Sequence, residues 1–141
     1  MTIFLAEDNP ADVYLLKEAL AVESSDAVDV IVAQDGEEAM DFVERRGAFQ
    51  HTATPDLIVL DLNLPKSDGS DVLRSIRESS VLSSVPVVIL TSSDSPRDRA
   101  AVESLGANHY ITKPSDLDAF LALGGTLLGF AGSRGRAVAR P

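Results

Sequence analysis

The chain contains no cysteine. That excludes disulfides and thiolate metal sites, and it suits a reducing compartment. Basic residues are also scarce: 12 Lys and Arg stand against 22 Asp and Glu, for a formal net charge of −10. Such a balance argues against nucleic-acid binding, which needs a positive face, and against docking on an anionic membrane. No apolar run approaches the ~20 residues needed to span a bilayer. Met1 to Pro10 lacks the basic stretch and apolar run of a secretory signal. The expected location is therefore cytoplasmic.

What is present fits one domain. A chain of 141 residues, 45% hydrophobic and 24% charged, is long enough to bury a working core. Ile3-Phe4-Leu5-Ala6, Leu57-Ile58-Val59-Leu60 and Val87-Val88-Ile89-Leu90 are apolar throughout, as parallel strands covered on both faces should be. Val28 to Val32, interrupted by Asp29, and the short Tyr110-Ile111 suit the edges. Helix starts are well marked. Asn9 precedes Pro10, and Val13, Leu16 and Leu20 then share a face. Asp35 with Glu38, Ser95 with Asp98, and Ser115 with Asp118 pair a capping oxygen with an acidic residue three positions on. A further helix should follow Asp68-Gly69, turning Val72, Leu73 and Ile76 inward. Strand and helix alternate five times, so the predicted fold is α/β, a flavodoxin-like doubly wound parallel sheet of strand order 2-1-3-4-5 with helices on both faces. Gly124-Gly125 should interrupt the last helix at ~1 kcal/mol per glycine. Residues 1–130 are expected to form the domain and 131–141 a flexible tail.

The chemistry gathers where strands end. The first runs into Glu7-Asp8, the third into Asp61, the fourth into Thr91 and the fifth into Thr112-Lys113. Parallel strands bring all their carboxyl ends to one edge, and open α/β sheets bind ligands on that edge near the switch point. Two carboxylates ~5 Å apart there repel by roughly 3 kcal/mol at an effective dielectric of 20. Glu7, Asp8 and Asp61 must then hold a proton or take a cation. All-oxygen donors with room for water suit Mg²⁺, with Mn²⁺ as substitute, and not zinc. With a dication present, Lys113 and the Thr91 hydroxyl complete a cradle for phosphate oxygens, and Asp61 is a carboxylate nucleophile within it.

These residues resemble the receiver domain of two-component response regulators. The matching stretches are Phe4-Leu5-Ala6-Glu7-Asp8-Asn9, Asp61-Leu62-Asn63-Leu64-Pro65, Asp68-Gly69, Leu90-Thr91-Ser92 and Tyr110-Ile111-Thr112-Lys113-Pro114, across Ile3 to Leu123. The resemblance implies that Asp61 is the phosphoacceptor and that Glu7 and Asp8 hold the metal with Asp61 and the backbone carbonyl of Asn63. It implies that Thr91 and Tyr110 form a switch pair, that Lys113 pairs with the phosphoryl group, and that the Lys113–Pro114 bond is cis. Asn63 and Ser93 fall at the positions that tune dephosphorylation, and Ser92 is small enough to leave the phosphate accessible. The Asn-Pro-Ala-Asp start, Leu-Pro-Lys-x-Asp-Gly and Tyr-Ile-Thr-Lys-Pro-x-x-Leu are similar to stand-alone regulators of bacterial phytochrome kinases. Implied partners are a histidine kinase of phytochrome type and a downstream phosphotransfer or effector protein. A second copy of the chain is expected, as a homodimer, if Leu123, Leu127, Leu128 and Phe130 form an exposed strip, whereas they add to the core if buried.

Taken singly, each residue has a plainer reading. Glu7-Asp8 would be a solvated loop, Asp61 a turn, Thr91 and Ser92 caps, Lys113 a solvated lysine and Tyr110 an edge packing residue. Their joint placement on one edge is what overturns this. His51 and His109 follow no ligand spacing and are read as non-functional. Arg134, Arg136 and Arg140 are read as a solubility feature. Two other functions fit the residues less well. An aspartyl-phosphate phosphatase wants a second Asp where Asn63 stands. A flavin- or nucleotide-binding module wants glycines where Glu7-Asp8-Asn9-Pro10 stands.

Overall fold

The computed structural model describes the backbone of residues 1–24 and 26–139 and the side chains of 1–24 and 26–132. Strands β1 (Thr2–Ala6), β2 (Asp29–Ala33), β3 (Leu57–Leu60), β4 (Val87–Thr91) and β5 (His109–Thr112) form one parallel sheet in the order β2-β1-β3-β4-β5. Helices α1 (Pro10–Glu23), α2 (Gly36–Glu44), α3 (Gly69–Glu78), α4 (Pro96–Ser104), α5 (Leu117–Leu121) and α6 (Leu123–Ala139) surround it. The three inner strands are buried at every position from Ile3 to Ala6, Leu57 to Leu60 and Val87 to Thr91, as their unbroken apolar runs require.

Side chains alternate across the sheet with a period of two, and this divides the core. Phe4, Ala6, Ile58, Leu60, Val87 and Ile89 pack with Phe42, Val72, Leu73, Ile76 and Val102 from α2, α3 and α4. Ile3, Leu5, Leu57, Val59, Val88 and Leu90 pack with Leu16, Leu20, Phe120, Leu123 and Leu127 from α1, α5 and α6. Leu123 and Leu127 are thus core residues, while Leu128 and Phe130 are half-buried. The His109 ring stacks on Phe130 at 3.7 Å between centroids.

The caps hold α1 to α4 where the sequence predicts them. Asn9 Oδ1 accepts from the N–H groups of Ala11 and Asp12, Asp68 accepts from Ser70, and Ser95 accepts from Asp98. Asp35 accepts from the Glu38 N–H at 2.8 Å, but the Glu38 carboxylate returns its bond to Gln34, one residue before the cap. The cap of α5 is Asp116 and not Ser115. Its carboxylate accepts from the Ala119 N–H at 2.9 Å, and a charged cap also gains from the helix dipole.

The glycine pair interrupts nothing. The chain breaks at Ala122, between α5 and α6, and both glycines lie inside α6. A Cβ on Gly124 would lie 2.3 Å from the Ala19 carbonyl oxygen, so this glycine lets α6 settle directly on α1. The backbone of α6 is helical to Ala139. Of the expected tail, the backbone of residues 131–139 belongs to α6, while residues 140–141 and the side chains of all three arginines lie outside the described residues.

Candidate functional site

Backbone pairing continues one residue past β1 and β3. The Glu7 N–H donates to the Ala33 carbonyl at 3.0 Å, and the Asp61 N–H to the Ala6 carbonyl at 3.1 Å. The period-two alternation therefore still governs both side chains. It turns Glu7 and Asp61 to the side of Ile3, Leu5, Leu57 and Val59, which is the α1 side. Lys113 follows Ile111 on that side, and its N–H donates to the Thr91 carbonyl at 2.7 Å. Thr91 and Tyr110 take the opposite parity and face the side of α3 and α4.

The result is a concentrated cluster. Lys113 Nζ lies 2.7 Å from Glu7, 2.9 Å from Asp61 and 3.0 Å from Asp12. Glu7 and Asp61 are buried, whereas Asp8 is exposed at the rim. One carboxylate oxygen from each of Glu7, Asp8 and Asp61 falls within 4.8 Å of the others. Three hard oxygen donors at that spacing, with one rim position open to solvent, fit a dication of the Mg²⁺ or Mn²⁺ type.

The electrostatics separate the two buried carboxyls. Burial is the main influence on Glu7 and pushes it up to about 7, although Lys113 and the Asn9 N–H pull the other way and Asp61 adds repulsion. Burial would raise Asp61 too, but the Asn63 N–H, Lys113 and Thr91 together outweigh it and hold Asp61 below the usual range. Burial likewise disfavours the charged Lys113, yet its contacts with Glu7, Asp61 and Asp12 raise it above an ordinary lysine. At neutral pH the cluster holds an ionised Asp61 beside a permanently charged ammonium.

On the other side, the Thr91 hydroxyl accepts from Asn63 Nδ2 and from the Ser93 N–H, each at 3.3 Å. Ser93 Oγ donates to Asp98 on α4 at 2.6 Å. The Tyr110 hydroxyl donates to the Ser93 carbonyl at 2.8 Å, and the Arg99 guanidinium lies 5.2 Å above the Tyr110 ring. Gly69 opens α3 against the acidic loop, and a Cβ there would come within 2.5 Å of the Asp61 carbonyl oxygen.

A family model described as "Response regulator receiver domain" matches residues 3–123. The chain belongs to the response regulator receiver family. It is 41% identical over 115 residues to response regulator Rcp1 of Synechocystis sp., covering 82% of this chain and 78% of Rcp1. The crystal structure of the phosphorylated cyanobacterial phytochrome response regulator RcpA superposes with a TM-score of 0.88 at 40% identity, covering 94% of both chains. The Mn²⁺-bound form of Rcp1 superposes with a TM-score of 0.84 at 37% identity, covering 92% of both.

Within this receiver domain, the residues singled out from the sequence meet in two connected groups. Glu7, Asp8, Asp61 and Lys113 form the charged cluster, and Asn63 links it to Thr91, Ser93 and Tyr110. The Lys113–Pro114 bond is a correction: no peptide bond among the described residues is cis. Lys113 reaches all its carboxylates from the trans form, which is the lower in energy for an X–Pro bond by about 0.5–1 kcal/mol. Asp12 joins the cluster without having been singled out as a site residue. In the sequence it is only the last residue of the Asn-Pro-Ala-Asp start, an acidic side chain in the first turn of α1 of the kind that helix N-termini carry for their own sake.

Proposed function

We propose that this receiver domain, over residues 1–130, accepts a phosphoryl group on Asp61 from a histidine kinase, with Mg²⁺ bound beside it. The observation that carries this is the buried, ionised Asp61 held 2.9 Å from Lys113 and flanked by the Glu7 and Asp8 carboxylates. The carboxylates of Glu7, Asp8 and Asp61 and the backbone carbonyl of Asn63 would hold the ion, and Mn²⁺ would serve as well. When bound, the dication neutralises charge on the phosphoryl oxygens.

The protein's own groups do the rest. Asp61 supplies the attacking oxygen, so a carboxylate O–P bond forms as the N–P bond of the kinase phosphohistidine breaks, and the imidazole nitrogen keeps the electron pair. The Asn63 N–H, bonded to Asp61 Oδ1 at 3.0 Å, orients the carboxylate. Lys113 and the Thr91 hydroxyl are the cationic and neutral donors to the new phosphoryl oxygens. Taking Thr91 for that purpose withdraws the acceptor of Asn63 Nδ2 and of the Ser93 N–H. Thr91 and Tyr110 thereby act as the switch pair, and Asn63 and Ser93 tune the lifetime of the phosphoryl group.

The kinase is proposed to be of the phytochrome type, because Rcp1 and RcpA are response regulators at about 40% identity and RcpA is described as a phytochrome response regulator. A homodimer through the face of α4 and the C-terminal helices, a downstream phosphotransfer or effector partner, and a cytoplasmic setting belong to the same proposal. Among the described residues no helix is long and apolar enough to cross a membrane.

Acetyl phosphate with Mg²⁺, read by intact mass, tests the central step. One added phosphoryl group, absent in Asp61→Asn and in EDTA, is the expected result. No gain in the wild type under any condition would overturn the reading.

A further inference from the structure

Lys113 has one more partner than its proposed chemistry needs. Glu7 and Asp61, two of its three carboxylates, also belong to the acidic trio that fits a dication. The third, Asp12, lies 3.0 Å from Nζ, with a side chain 20% exposed, and stands outside that trio. A dication and an ammonium compete for the same negative charge. Each makes Glu7 and Asp61 less attractive to the other.

We propose that Asp12 is a positioning residue that holds the Lys113 ammonium at the edge of the site when Glu7 and Asp61 are given over to the cation. The proposal rests on the metal-assisted phosphoacceptor reading above. Asp12 is suited to this by its place in the fold. It sits in the first turn of α1, fixed by the Asn9 cap that accepts from its own N–H at 3.3 Å. It faces Lys113 across 101 positions of sequence. Without Asp12, Lys113 has only Glu7 and Asp61 as acidic partners among the described residues, and an entering dication must displace it. With Asp12, the ammonium keeps a partner while the cation enters, and it stays within reach of the phosphoryl oxygens. The alternative is that Asp12 only decorates the α1 N-terminus, and that role would not pass through Lys113.

Mn²⁺ titration of the unphosphorylated full chain, followed by calorimetry, separates the two. The proteins are wild type, Asp12→Asn, Lys113→Gln and the double variant, with Asp12→Glu as conservative control and circular dichroism to check folding. Asp12→Asn should weaken Mn²⁺ binding about fivefold when Lys113 is present and about twofold or less when it is replaced. Asp12→Glu should restore most of the affinity. Equal weakening in both backgrounds would assign the effect to the field of the Asp12 charge and overturn the proposal, as would no weakening at all. A wild type that binds no Mn²⁺ would take down the metal-assisted reading together with this one. Should Lys113→Gln fail to fold, Lys113→Arg serves instead: keeping the charge, it should leave most of the Asp12→Asn penalty in place. Loss of the penalty in that background would count against the proposal.

Discussion

Glu7 is 1% exposed, and its carboxyl is pushed up to about 7 from an ordinary 4.5, chiefly because burial disfavours the charge. Between those two values the metal-free fold keeps a proton that the unfolded chain has already lost. A raised carboxyl stabilises the fold fully below pH 4.5, and that contribution is lost as pH rises through 7. Glu7→Gln keeps the side chain neutral throughout. In EDTA its stability advantage over wild type should grow by about 2 kcal/mol between pH 5 and pH 8, measured by urea denaturation at each pH. A constant gap would mean that Glu7 is ionised across the whole range. Asp61 has the opposite sign, being held below its usual range, so its contribution is present above that range and fades only in acid.

At the scale of elements, two contacts decide how helices meet their neighbours. Gly124 and Gly125 look equivalent in sequence, but only a Cβ on Gly124 would collide, at 2.3 Å from the Ala19 carbonyl. The nearest atom to a Cβ on Gly125 is the Glu23 carboxylate oxygen at 3.5 Å. Gly124→Ala should cost about 1–3 kcal/mol through overpacking, while Gly125→Ala should gain up to about 1 kcal/mol from helix propensity. Denaturant titration of both variants checks this. The other contact is the β4–α4 junction. Ser93 Oγ is committed to Asp98, while its carbonyl holds the Tyr110 hydroxyl. The chain has no Trp and only 2 Tyr, and Tyr14 is exposed. Tyr14→Phe thus leaves Tyr110 as the sole source of tyrosine fluorescence. In that background Asp98→Asn should make Tyr110 more accessible to acrylamide quenching. Unchanged quenching would show that Arg99 packing alone holds the ring.

For the whole molecule, a formal net charge of −10 and an acidic trio at one sheet edge carry the proposed binding of a divalent cation. A cation that binds only the folded chain stabilises it by about 2.7 kcal/mol at a hundredfold excess over its Kd. Mg²⁺ should raise the melting temperature of the wild type reversibly with EDTA, and Asp8→Asn should abolish most of the shift. Asp8 is the suitable probe because it is exposed and lies outside the Lys113 contacts. A persistent shift in Asp8→Asn would point to cation binding elsewhere on the acidic surface.

Much of this is legible in the sequence alone. Strands, caps and helix faces follow from patterns that repeat within a few residues, so apolar runs and capping pairs placed nearly every element. Parallel pairing then brought Glu7, Asp8, Asp61, Thr91 and Lys113 to one edge without further information. Tertiary structure decided what depends on distant surfaces meeting. It put Asp12 against Lys113, engaged the Ser93 hydroxyl with α4, left the Lys113–Pro114 bond trans and turned Gly124 from a helix defect into a packing contact. None of these has a local signature, because a side chain's partner across the fold is set by packing and charge balance between segments that the sequence keeps far apart.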